Sequence, residues 1–124
     1  MQTLVLTIAG LFGALAIVLG AFGAHLFKKI LPEDKLASFE VGVRYQMYAA
    51  LALLIVGYHN DFQLLAQQWA FYGIAIGTLL FSFSIYGLAF ANYWKVNLRF
   101  LGPITPLGGL LMIIGWVALI ISFY

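Results

Sequence analysis

From Phe62 to Trp94 the chain carries no Asp, Glu, Lys or Arg. A charge-free run of that length exceeds the ~20 predominantly apolar residues that cross a bilayer. Water could not wet it as a surface, and a single domain could not hide it along with the rest of the chain. The rest is similar: of 124 residues, 65% are hydrophobic and 8% charged, with a mean hydropathy of +1.05. An ordinary soluble domain is about 25% charged. The solvent is therefore a bilayer, in which each apolar stretch must close its own backbone hydrogen bonds as helix. The expected fold is all-α. It is a polytopic integral membrane protein whose residues 1–124 form one domain, with four transmembrane helices in a compact bundle.

The helices are placed at about 3–26, 32–58, 69–91 and 105–123. The first has small residues near Ala24 that loosely resemble a signal cleavage site. No positive residue precedes it, however, and the run outlasts a signal core, so it reads as a permanent span. The second is the informative one. Only Tyr45 to Tyr58 is free of charge, too short to cross, so this helix must start earlier and carry Glu40 and Arg44 inside it. In LPEDK, Pro32 suits a first turn, while Glu33 and Asp34 favour the positive end of the helix dipole. For the fourth helix, Thr105 is expected as the cap and Pro106 at the first helical position.

Orientation follows from the basic residues. Lys28, Lys29, Lys35 and Arg44 lie at the connection of helices one and two, and Lys95 and Arg99 lie between three and four. Both termini and HNDFQLLAQQ contain none. The positive-inside rule makes loops 28–35 and 95–104 cytoplasmic and puts both termini outside.

Small residues mark the helix contacts. Ala9, Gly13, Ala16, Gly20 and Ala24 follow one face of helix one, and Gly73 with Gly77 forms a GxxxG in helix three. Such residues let backbones approach closely. Packing within one bundle is favoured over a dimer seam, and a homo-oligomer or a membrane-protein partner stays open.

Polar residues in or beside spans are costly and ask for a reason. His25, Glu40, Arg44, Gln46, Asn97 and Thr105 all lie toward the lysine-bearing side. Glu40 and Arg44, one turn apart in the favourable acid-first order, are expected to compensate each other. Three readings stand: a structural ion pair with His25 bonded to a carbonyl, a polar pocket for an anionic headgroup or solute beside Arg44 and the start of helix four, or proton coupling through His25 and Glu40. Gly102, Pro103 and Pro106 suggest either a rigid non-helical segment lining a cavity or, favoured here, a stiff turn that starts helix four, and Gly102 permits positive φ. His59 and Asp61 read as solvated loop.

No Gly-x-Ser-x-Gly, His-Glu-x-x-His or phosphate-binding glycine loop occurs, and the two histidines lie on opposite sides. The expectation is no enzyme, no cofactor and no metal. Zero cysteines exclude thiolate chemistry. With no basic patch interleaved with aromatics, nucleic acid is not an expected partner. Membrane lipids are.

GAFGAH at 20–25, FEVGVRYQMY at 39–48 and GPITPLGG at 102–109 occur in that order. Together they resemble domain-of-unknown-function family 423, also called uncharacterised protein family 0382, with transmembrane protein 256 as a eukaryotic relative. The resemblance spans nearly the whole chain. It implies a four-helix plasma-membrane protein and no particular chemistry. His25, Glu40, Arg44, Tyr45, Gln46, Pro103, Thr105 and Pro106 stand at the family's characteristic positions. Ala49 stands where that family often has histidine, and Ser82–Phe83–Ser84 where it often has Ser-Gly-Ser. The leading functional class is a structural or accessory membrane protein, acting in envelope stability or a larger complex. The rival is a small transporter or channel, which would want an acid deep in a span.

Overall fold

The computed structural model describes all residues, Met1–Tyr124. Helix α1 (Gln2–His25) leads through a short 3-10 turn (Phe27–Lys29) into α2 (Glu33–His59), and α3 (Leu65–Trp94) follows. A second 3-10 turn (Arg99–Leu101) precedes α4 (Ile104–Ile121). All four helices are long and apolar enough to cross a membrane, and there are no strands. The chain is thus an all-α, four-span membrane protein. Close backbone approach runs in chain order, α1 on α2, α2 on α3 and α3 on α4.

The helix ends refine the expected chemistry. Pro32 is the N-cap of α2 rather than part of its first turn, and Glu33 and Asp34 occupy that turn. At 30 residues, α3 extends beyond the expected 69–91 at both ends. Its length of about 45 Å exceeds a hydrocarbon core of ~30 Å, so it tilts or projects. It stops where Lys95 turns left-handed at φ 56°. There the N–H of Val96 donates to Ala91 O and that of Lys95 to Asn92 O, the paired bonds of a Schellman ending.

Two expectations about GPITP fail. Gly102 has φ −55°, and no glycine has positive φ. The segment starts helix four, as favoured, but it is not non-helical: the chain passes from the 3-10 turn almost directly into α4, with Pro103 as N-cap. Helical geometry just before a proline normally brings a clash with Cβ, and Gly102 has none. Thr105 is therefore not the cap. Pro106 falls at the third helical position, still among the orphan N–H groups of the first turn, so its missing donor costs nothing.

The glycine seams differ in kind. A Cβ on Gly73 would lie 2.6 Å from Gly115 Cα, and one on Gly77 would lie 2.6 Å from Met112 N. Along α3 and α4 the backbones touch. A Cβ on Gly13 would sit 3.7 Å from Ala50 Cβ, and one on Gly20 would sit 3.5 Å from Val43 Cγ1, which is ordinary contact. The α1–α2 seam is looser. On α1, Ala9 and Ala16 are buried, but Ala24 is exposed, and Gly23 packs on Phe39 in its place.

The interior has two apolar clusters. One joins Val5, Phe12, Leu53, Val56, Phe71 and Ile74 toward the loop at Phe62. The other, at the lysine-bearing end, gathers Leu31, Phe39, Tyr86 and Phe90 around Phe27. Edge-on ring contacts from Phe27 to Phe39 (5.1 Å) and to Phe90 (4.9 Å) pin the α1–α2 turn to α2 and α3.

Candidate functional site

Between the two apolar clusters lies a polar layer. Gln46, at the middle of α2, is fully buried. Its Nε2 donates to the Phe12 carbonyl on α1 at 2.9 Å, and its Oε1 accepts from the Tyr86 hydroxyl on α3 at 2.6 Å. One amide thus ties three helices. One turn before Tyr86, Ser82 Oγ donates to the Gly42 carbonyl at 2.8 Å. Gly42 itself makes room for the ring, since a Cβ there would meet Tyr86 Cε1 at 2.7 Å. Thr78, also fully buried, returns its hydroxyl proton to Ile74 O at 2.6 Å. In a bilayer an unmade bond of this kind has no water to fall back on, so each of these polar groups must find its partner inside.

A second polar contact joins α3 to α4. Ser84 Oγ and Thr105 Oγ1 are 2.6 Å apart, and Ser84 also donates to Phe81 O. Thr105 is half-buried here, a bridge between helices and not a helix cap.

The remaining residues marked in the sequence do not join this layer. Glu40 and Arg44 are both exposed and form no ion pair; they stand on the rim of a groove between α1 and α2, with Gly20, Gly23 and Val43. Inward-facing Phe39, Gly42, Gln46 and Leu53 occupy the other face of α2. Arg44 and Gln46 are two positions apart, and on a helix that spacing points side chains apart. His25, the last residue of α1, is exposed. Exposed Asn97 accepts from the Arg99 N–H at 3.1 Å and so shapes the α3–α4 turn. The expected pocket built from Arg44 and the start of α4 therefore does not form. The lysine facing α4 is Lys35: with Ser38, Thr105 and Pro106 it lines a separate cavity of about 430 Å³.

Sequence reasoning missed Tyr86, Ser82 and Ser84 as structural partners. The usable signal was the cost of polar groups inside spans: Ser82 and Tyr86 lie one turn apart in a charge-free helix, facing a glutamine in a neighbouring one.

Outside, the molecule is a lipid surface. Leu11, Ile17, Leu51, Ile55, Ile113 and Ile121 are all more than half exposed, at 53% to 65%. An apolar exterior around a small polar layer, in which Gln46, Thr78, Ser82 and Tyr86 are each bonded, defines a four-helix integral membrane protein. The family model described as "Protein of unknown function (DUF423)" matches residues 19–109, and the chain belongs to that family. It is 41% identical over 105 residues to a UPF0382 membrane protein of Staphylococcus haemolyticus, covering 85% of this chain and 82% of that one. A UPF0382 membrane protein of Staphylococcus aureus is 37% identical over 121 residues, 98% of this chain and 95% of its own. One from Schizosaccharomyces pombe is 35% identical over 115 residues, 92% and 96% of the two chains. No solved structure matches the chain.

Proposed function

We propose that this protein is a non-enzymatic accessory component of the bacterial plasma membrane, acting through contacts with lipids and neighbouring membrane proteins. Both termini lie outside, and the loops at Lys28–Lys35 and Lys95–Arg99 lie in the cytoplasm. The observation that carries this reading is the state of the polar groups within the spans. Gln46, Ser82 and Tyr86 are spent on holding helices together, and Thr78 on the Ile74 carbonyl of its own helix. Glu40, Arg44 and His25 sit on the outside of the bundle near its end. A proton-coupled carrier needs an ionisable side chain in its interior that changes partners during transport, and a binding site for solute needs polar groups left free to meet it.

The test pairs crosslinking in native membranes with flux measurements on the purified chain in vesicles. The expected result is a reproducible set of crosslinked membrane neighbours and solute or proton flux at the level of empty vesicles. Flux that disappears in Glu40→Gln would overturn the accessory reading in favour of a carrier.

A further inference from the structure

The largest cavity of the molecule, about 700 Å³, is a groove between α2 and α4 floored by α3. Tyr45 and Tyr48 form one wall, Leu110, Ile113 and Trp116 the other, and Phe81 lies at the bottom. Toward the lysine-bearing loops the groove meets the smaller cavity lined by Lys35, Ser38 and Thr105, and Pro106 belongs to both. The two are neighbours that share Pro106 and follow the same faces of α2 and α4. On α2 the lining passes from Lys35 and Ser38 to Tyr45, Tyr48 and Ala49, and on α4 from Thr105 and Pro106 to Trp116.

Chemistry changes along the pair in one direction. It begins with an ammonium group and hydroxyls and becomes mainly apolar and aromatic. The acids of the same first turn, Glu33 and Asp34, do not line it. Its length is also specific: from Thr105 to Trp116 the α4 wall rises about 16 Å, close to half of a ~30 Å hydrocarbon core. A polar mouth with one cation at headgroup level, followed by an apolar trough one leaflet deep, has the form of a single phospholipid. We propose that this groove holds one anionic phospholipid from the leaflet facing the lysine-bearing loops, with its phosphate against Lys35 and Ser38 and one acyl chain between Tyr45, Tyr48 and Trp116.

A second copy of the chain is the competing occupant. In a two-fold dimer of parallel molecules the same face meets itself, which would draw Lys35 toward its counterpart, like charge against like. The lipid has the complementary charge. The proposal needs only the membrane setting and is independent of the accessory role.

Purified full-length protein, incubated with phosphatidylglycerol or phosphatidylcholine in detergent, is measured by native mass spectrometry alongside its melting temperature. One retained phosphatidylglycerol per chain is expected. Lys35→Gln should weaken that retention about fivefold, the effect of a single cation at a lipid surface. Lys29→Gln, the same charge change outside the groove, should leave it intact. Ile113→Trp and Leu110→Trp start from positions 61% and 52% exposed, so they fill the trough without disturbing the interior; either should reduce retention of both lipids severalfold at an unchanged melting temperature. Equal losses from Lys29→Gln and Lys35→Gln would reduce the effect to general surface charge and overturn the site. Lipid retention untouched by both tryptophans would also overturn it, as would a parent dimer that the tryptophans convert to monomer.

Discussion

Tyr86 on α3 donates its hydroxyl proton to Gln46 on α2 at 2.6 Å, and Gln46 passes the connection on to the backbone of α1. Tyr86→Phe removes the donor and leaves Gln46 Oε1 buried without a partner. Hydrogen bonds between spans contribute about 0.6 kcal/mol on average and up to ~1.7. The loss should approach the upper figure, because the orphaned acceptor has no water to turn to. Gln46→Leu should cost more, since it strands the Tyr86 hydroxyl and cuts the tie to α1. In the double variant the losses should fall well short of additive. Reversible unfolding in mixed micelles measures all three; simple additivity would mean that the two groups act independently.

The α3–α4 seam should tolerate no side chain. Gly73→Ala places a methyl group 2.6 Å from the Gly115 backbone, and backbone cannot swing aside as a side chain can. The expected loss is about 1–3 kcal/mol, the range for overpacking. Gly20→Ala adds a methyl at van der Waals distance from Val43 and removes a helix-disfavouring glycine, so it should be neutral or slightly stabilising. Melting curves of the two proteins side by side decide the matter, and equal behaviour would contradict the difference between the seams.

Glu40 and Arg44 call for a different forecast from the one their spacing suggests. Both are exposed, and neither is paired with the other. Glu40→Gln and Arg44→Gln should each shift stability by less than ~1 kcal/mol, as for substitutions away from the packed interior, and the double variant should equal their sum. A rescue in the double variant would restore the compensating pair.

These residues also show where the sequence is legible and where it is not. Four spans, their approximate limits and the small-residue seam at Gly73 and Gly77 follow from hydropathy and glycine spacing, because a bilayer leaves the backbone no alternative to helix. Facing is harder. Glu40, Arg44 and Gln46 lie toward the same membrane side, yet Gln46 turns inward and the two charges turn out. Helix periodicity distinguishes Arg44 from Gln46, but only the neighbouring helices decide which of them is buried. The bridge from Tyr86 to Gln46 joins residues 40 apart in sequence, and no local pattern announces that separation. At GPITP the helix begins two residues before the expected start at Pro106, because both prolines fit its cap and first turn.

Membrane orientation has a direct test, because the chain has no native cysteine. Single cysteines at Gln2, Asp61 and Tyr124 should react with an impermeant maleimide in intact cells, while one at Lys29 should react only after lysis. The reverse pattern would invert the molecule and place the lysine-bearing loops outside.

The end of α3 offers a stabilising change. Lys95 holds the left-handed conformation, φ 56° and ψ 41°, that closes the helix. For a residue with a Cβ this geometry costs roughly 1–2 kcal/mol; glycine adopts it freely and is the usual residue at that position of a Schellman ending. The Lys95 side chain is exposed, and none of the side-chain hydrogen bonds involves it, so little is lost by removing it. Lys95→Gly should therefore raise stability by up to ~1 kcal/mol, the remainder being offset by the greater freedom of glycine in the unfolded chain. Lys95→Ala, which keeps the Cβ and discards only the charge, should give no such gain. A rise in melting temperature for both variants would assign the effect to the charge, and a fall for Lys95→Gly would show that the left-handed turn is not what limits this helix end.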